Sequence, residues 1–272
     1  MPAENDSKQY VISKIPVNAK DIIAIASGKG GVGKSTVTVN LALSIAQKGK
    51  KVGILDADIY GPNVPIMLGI ENELARAKGK KLIPVEKYGL KIMSVAFITK
   101  PEQALIWRGP LASKLIDQFL GDVDWGELDI LLIDLPPGTG DVPLSIIQKA
   151  DLSGGIVVTT PQEASLADVR KMINMFKTTD TEIIGIVENM KYIVCSKCSS
   201  KLDLYPNKDN RSVTEILGHN LLAELPFETK IGLKGDDGTP FYFTDKESIT
   251  TKEYDKLCGR ILEFIKKKRN KF

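Results

Sequence analysis

A chain of 272 residues, 43% hydrophobic and 26% charged, is long enough to bury one substantial core and sits near the upper limit for a single domain. Its 37 basic and 34 acidic residues leave a net charge of +3, too small an excess to argue for nucleic acid as a partner. No apolar run approaches the roughly 18 residues of a membrane span, and residues 1–6 are polar and acidic, unlike a secretory signal. Three cysteines are too few for a disulfide framework, so a cytoplasmic protein with neither membrane nor nucleic acid as partner is expected.

In chain order, residues 1–18 read as a flexible polar lead-in and 19–272 as one domain. An apolar run at 22–26, stopped by Ser27 and Gly28, predicts a buried strand. Helical periodicity at 34–48 and a second apolar run at 52–55, stopped by Asp56, complete a βαβ unit with parallel strands. Residues 58–90, with Pro62, Pro65 and Pro84, read as loops with short elements. Strand-like runs follow at 91–95, 129–133, 155–159, 183–187 and 221–223. Helical patterns fall at 110–121, 141–150, 163–177 and 212–218. A last helical stripe runs through Tyr254, Leu257, Cys258, Ile261, Leu262 and Ile265 before a basic end. Strands apolar on both faces and alternating with helices predict an α/β fold, a doubly wound, mostly parallel sheet flanked by helices.

Between the first strand and the first helix, Gly28-Lys29-Gly30-Gly31-Val32-Gly33-Lys34-Ser35 fits G-x-x-x-x-G-K-[ST], the phosphate-binding P-loop. Its glycines let backbone N–H groups converge on phosphate oxygens, and the helix adds its positive end. Lys34 is expected on the β- and γ-phosphates of ATP, Ser35 on Mg²⁺, and Thr36 on a neighbouring phosphate. Asp56 and Asp58 end the second strand and Asp134 ends the run at 130–133, all on the edge where open α/β sheets bind ligands. Mg²⁺ takes hard oxygen ligands and keeps several waters, so Asp56 and Asp134 join Ser35 as its candidate ligands.

Lys29, directly after the first glycine, makes the loop resemble the deviant Walker A motif of SIMIBI-class P-loop ATPases. Three further stretches are similar to the Mrp/ApbC iron–sulfur carrier branch of that class: Asp56-Ala57-Asp58-Ile59-Tyr60-Gly61-Pro62-Asn63-Val64-Pro65 as switch I, Asp134-Leu135-Pro136-Pro137-Gly138-Thr139-Gly140-Asp141 as switch II, and Glu188-Asn189-Met190 as a base-reading strand end. The resemblance runs from about residue 20 to 265. It implies that Lys29 crosses a homodimer interface to the partner's nucleotide, that Asp58 positions the attacking water, and that Asn189, with Pro226 in the turn 225–227, contacts adenine. No cysteine precedes Cys195, so the N-terminal four-cysteine site of certain eukaryotic members is not expected, nor is the extra N-terminal domain of many bacterial ones.

Cys195 and Cys198 form one CxxC within a polar loop at 191–203. A tetrahedral Zn²⁺ or a 4Fe–4S cluster takes four protein ligands, and a two-fold dimer would supply them. Thiolate softness leaves bridging zinc and a redox pair open. The resemblance implies a 4Fe–4S cluster bridging two chains and delivered to apo iron–sulfur proteins by a slow Mg²⁺-dependent ATPase. Two rivals stand beside this reading, a spatial-positioning ATPase like those that place septa or partition plasmids, and a zinc-bridged nucleotide-dependent scaffold.

Overall fold

The computed structural model describes residues 13–98, 109–195, 197–198, 200–205 and 212–270. Residues 1–12 of the lead-in, and Trp107 and Arg108 ahead of the third helix, lie outside them. The βαβ unit comprises β1 (Ala19–Ser27), α1 (Lys34–Gln47) and β2 (Val52–Asp56). Next come α2 (Val64–Met67), the short strands β3 (Arg76–Lys78), β4 (Lys81–Ile83) and β5 (Val85–Lys87), then β6 (Leu90–Ser94) and α3 (Gly109–Gly121). The middle of the chain holds β7 (Leu128–Asp134), α4 (Asp141–Lys149), β8 (Gly154–Thr159), α5 (Glu163–Thr178) and β9 (Ile183–Glu188). It ends with β10 (Tyr192–Val194), β11 (Lys201–Asp203), α6 (Val213–Leu217), β12 (Leu221–Glu224), α7 (Thr229–Asp236), α8 (Phe241–Thr244) and α9 (Ile249–Arg269).

Eight strands form one sheet in the order β12-β9-β8-β1-β7-β2-β6-β5, parallel throughout except for the antiparallel edge pair β5–β6. Every residue of β2 and β8 is buried, which requires cover on both faces and explains why these strands carry no polar alternation. The core holds Ile23, Ile25 and Ile54 from the sheet, Leu41, Leu43 and Ile45 from α1, and Phe119 and Phe176 from the flanking helices. Each such side chain stabilises the fold by roughly 1.5–3 kcal/mol relative to exposure. Helix α1 is buried almost all round because α9 lies against it.

Helix α9 buries its stripe of Tyr254, Leu257, Cys258, Ile261 and Ile265. Ser248 caps its start by accepting from the Thr251 N–H at 2.9 Å. At its end Arg269 pairs with Asp21, and Lys268 Nζ donates to the Ser153 carbonyl at 2.6 Å. The basic end is therefore tied to the amino edge of the sheet. Residues 13–18 differ from the flexible lead-in expected of them: the Ile15 N–H donates to Lys149 O at 2.8 Å, and Lys14 Nζ donates to Ala150 O at 2.8 Å.

Two segments read as loops carry three hairpins, β3–β4 and β5–β6 from 58–90 onward and β10–β11 in 191–203. Strands β5 and β6 turn through Tyr88 and Gly89, at φ 51° and 75°, the positive pair that a two-residue I′ turn requires. Residues 191–203 carry the antiparallel pair β10–β11, with the CxxC at its tip. Strands of three residues with exposed side chains leave no apolar alternation to read.

Candidate functional site: a phosphate loop and a cysteine hairpin

All the P-loop and carboxylate candidates gather at the carboxyl edge of the sheet. The loop leaves β1 and enters α1, while β2 and β7 run parallel in a register that sets Asp56 opposite Asp134. A cleft of about 300 Å³ opens there, lined by Lys29–Thr36 and by Asp58, Asn63, Pro137 and Met190. Two glycines of the loop are dictated by their surroundings. Gly33 sits at φ 83°, in the left-handed region, and a Cβ there would lie 2.2 Å from Asn189 Nδ2. At Gly28 a Cβ would meet the backbone carbon of Asp168 on α5 at 2.5 Å. Gly30 is under no such pressure, with Pro137 Cγ 4.0 Å from its would-be Cβ, so a side chain there would project into the cleft mouth.

Asp134 is the hub. Fully buried, it receives Lys34 Nζ at 2.8 Å and Ser35 Oγ at 2.6 Å on Oδ2, and Thr38 Oγ1 at 2.6 Å on Oδ1. Short contacts from charged or hydroxyl donors to a carboxylate are the stronger class of hydrogen bond. Its neighbour Asp56 accepts from Ser94 Oγ at 3.1 Å and from the Asp58 N–H at 3.2 Å. Burial raises the Asp56 carboxyl well above the usual carboxylate range and repulsion from Asp134 adds to this, with Lys34 opposing. Asp58, which accepts from the Gly61 N–H at 3.3 Å, is also raised by burial, with Lys34 pulling down and Asp134 pushing up. The site therefore concentrates more carboxylate than its one buried lysine neutralises, the condition under which a divalent cation is welcome.

The remaining P-loop candidates divide. Lys29 lies back against its own chain, Nζ donating to Gln162 Oε1 at the start of α5 at 2.9 Å. Thr36, half-buried, lines the cleft and its carbonyl accepts from Asn40 Nδ2 at 2.8 Å. Asn189, at the end of β9, reaches into the loop, its Nδ2 donating to Val32 O at 2.8 Å. The turn holding buried Pro226 is laced to that strand end through Leu225 N–H to Glu188 O and Lys191 N–H to Leu225 O, both 2.9 Å.

Among the described residues, no three or more His, Cys, Asp or Glu side chains are grouped so as to hold a metal ion. The donors at Asp134 nevertheless suit Mg²⁺, which needs only a hydroxyl, a carboxylate and waters. Cys195 is half-buried and Cys198 exposed at the tip of the β10–β11 hairpin, closed by Cys195 N–H to Ser200 O at 2.9 Å. A hydrogen bond from Ser200, with Cys198 Sγ and Ser200 Oγ 3.0 Å apart, lowers the Cys198 thiol. Cys258 is buried on the inner stripe of α9, and burial raises its thiol. Thr38, Ser94, Gln162 and Ser200 were not singled out by sequence; only Thr38 carried a signal, its i+4 and i+3 spacing from Lys34 and Ser35.

Residues 18–262 match the model of a ParA family described as NUBPL iron-transfer P-loop NTPase. The chain belongs to that family. An iron–sulfur cluster carrier protein of Methanocaldococcus jannaschii is 45% identical over 271 residues, covering 98% of this chain and 91% of the relative. A nucleotide-binding protein of Archaeoglobus fulgidus, solved in complex with ADP, superposes with a TM-score of 0.72 at 40% identity, covering 86% of this chain and 94% of that one. The septum site-determining protein MinD of Pyrococcus horikoshii, solved with Mg-ADP, has a TM-score of 0.68 at 24% identity over 89% of this chain and 95% of that one, a likeness of fold alone. The expected SIMIBI-type fold and iron–sulfur carrier resemblance are thus both borne out.

Proposed function

We propose that this family member binds ATP with Mg²⁺ in the P-loop cleft, hydrolyses it slowly, and as a homodimer in the cytoplasm carries a 4Fe–4S cluster to apo-proteins. The observation that carries the reading is a shared element end. The last residues of β9 send Asn189 to the Val32 carbonyl in the phosphate loop, and three residues later the chain opens the hairpin that bears Cys195 and Cys198. A rearrangement of the loop around a nucleotide reaches the cysteines through one short segment. For ATP to alter cluster affinity, the dimer's states must differ in how closely four thiolates converge.

In the reaction, Lys34 leaves Asp134 for the phosphates, and Lys29 leaves Gln162 to reach the nucleotide of a second copy. Ser35, Asp56 and Asp134 would hold Mg²⁺, which when bound would offset the phosphate charge. Asp58, at the cleft wall, orients the attacking water, and Asn189 and Pro226 border the base. Cys195 and Cys198 with the same pair from a second copy complete four thiolates, the number a 4Fe–4S cluster takes. The buried apolar stripe of α9 argues against a membrane-bound positioning ATPase. Replacing both cysteines with Ala tests the choice: ATP binding should persist while cluster transfer to an apo-protein vanishes. Equal transfer with and without ATP would remove the coupling, and zinc without sulfide would favour the scaffold.

A further inference from the structure

The geometry around Asp134 assigns a role to Thr38, a residue outside the G-x-x-x-x-G-K-[ST] pattern. Lys34, Ser35 and Thr38 stand at spacings of four and three along α1, so their side chains share the face turned to the end of β7. All three donate to one carboxylate, but not alike. Lys34 and Ser35 both take Oδ2, at 2.8 and 2.6 Å, whereas Thr38 alone of the three takes Oδ1, at 2.6 Å. Thr38 also lies 3.0 Å from the Lys34 carbonyl, the back-bond a helical threonine commonly makes. A hydroxyl has one hydrogen, and the shorter, charge-assisted contact to the carboxylate claims it. The side chain is completely buried, so water cannot replace it.

When ATP and Mg²⁺ occupy the cleft, Lys34 is required on the phosphates and gives up its bond to Oδ2, and Ser35 must turn an oxygen lone pair to the metal. Thr38, one turn deeper in α1, is out of reach of the phosphates and keeps its bond. We propose that Thr38 is the positioning residue that holds the Asp134 carboxylate aimed at Mg²⁺ while Lys34 and Ser35 turn to nucleotide and metal. The inference rests on the Mg²⁺–ATP reading above. Partners that orient a metal's ligands govern its affinity by about 10–100-fold.

The test is calorimetric titration of ATP into the full chain across a series of Mg²⁺ concentrations and in EDTA, with a thermal melt for each variant. Thr38→Val, which keeps the shape and loses the hydroxyl, should raise the Mg²⁺ needed for half-maximal tightening of ATP binding about 10–100-fold. Its metal-free ATP binding should stay at the wild-type level. Thr38→Ser, which keeps the hydroxyl, should behave as wild type. If Thr38→Val does not fold, Thr38→Ala against Thr38→Ser makes the same comparison. A Mg²⁺ dependence unchanged in Val or Ala, an equal loss with and without metal, or a Ser variant as impaired as Val overturns the assignment. Wild-type protein that binds ATP no better with Mg²⁺ than without it would instead overturn the functional reading beneath it.

Discussion

At the scale of single residues, the cleft separates groups that serve the fold from groups that serve a ligand. Lys34 serves both. Lys34→Ala leaves the buried Asp134 without its cation beside Asp56 and Asp58, and should destabilise the protein by roughly 3–5 kcal/mol while abolishing the heat of ATP binding. Gly30→Ala separates the two roles, since a Cβ there meets nothing closer than 4.0 Å. Its melting temperature should match wild type while ATP affinity drops about tenfold, close to 1.4 kcal/mol. Asp56 gives the pH signature. Its carboxyl is raised on folding, so the folded state holds a proton that the unfolded chain releases first. That contribution is fully present below the ordinary aspartate range and is lost as pH rises through the folded value. Asp56→Asn keeps one oxygen for the Asp58 N–H and turns its amide to donate to Ser94 Oγ, so it should raise the melting temperature at pH 8, gain nothing at pH 4, and weaken Mg²⁺–ATP binding. The loop, Asp56, Asp58 and Asp134 were legible because their residue types and spacing are the chemistry. The Lys29–Gln162 and Thr38–Asp134 contacts were not, because each joins positions about a hundred residues or more apart through a fold that had still to be seen.

At the scale of elements, the parallel strands and helices α1, α3, α4, α5, α6 and α9 were readable as apolar runs or helical periods, whereas the four-residue helices α2 and α8, which bury only two residues each, and α7, which buries none, were not. The three-residue strands escaped because they lie in hairpins with little to bury: Ile193 and Leu202 face each other across β10–β11 while still partly exposed. Neither cysteine at the tip of that hairpin belongs to the core, so Cys195→Ala with Cys198→Ala should leave the melting temperature of metal-free protein within a degree or so of wild type. A larger drop would mean the pair has a structural duty within one chain. Helix α9 is basic and amphipathic, a pattern that can lie on a membrane. Its stripe is spent on α1 and the sheet, and Arg269 and Lys268 on Asp21 and Ser153. Sedimentation with anionic vesicles should therefore leave the protein in the supernatant with and without ATP.

At the scale of the whole molecule, the parallel sheet puts the carboxyl ends of β1, β2, β7, β9 and β12 on one edge, and with them the residues proposed to handle nucleotide and metal and the strand end that leads to the cysteine hairpin. One chain brings two thiolates to that edge, so the account stands or falls on a second copy. Anaerobic reconstitution with iron and sulfide, followed by metal and sulfide analysis of the size-fractionated protein, tests this most directly. The account predicts about four iron and four sulfide on a species of two chains, absent from the double-cysteine variant. Iron and sulfide retained by a single chain, or bound equally by the variant, would contradict it.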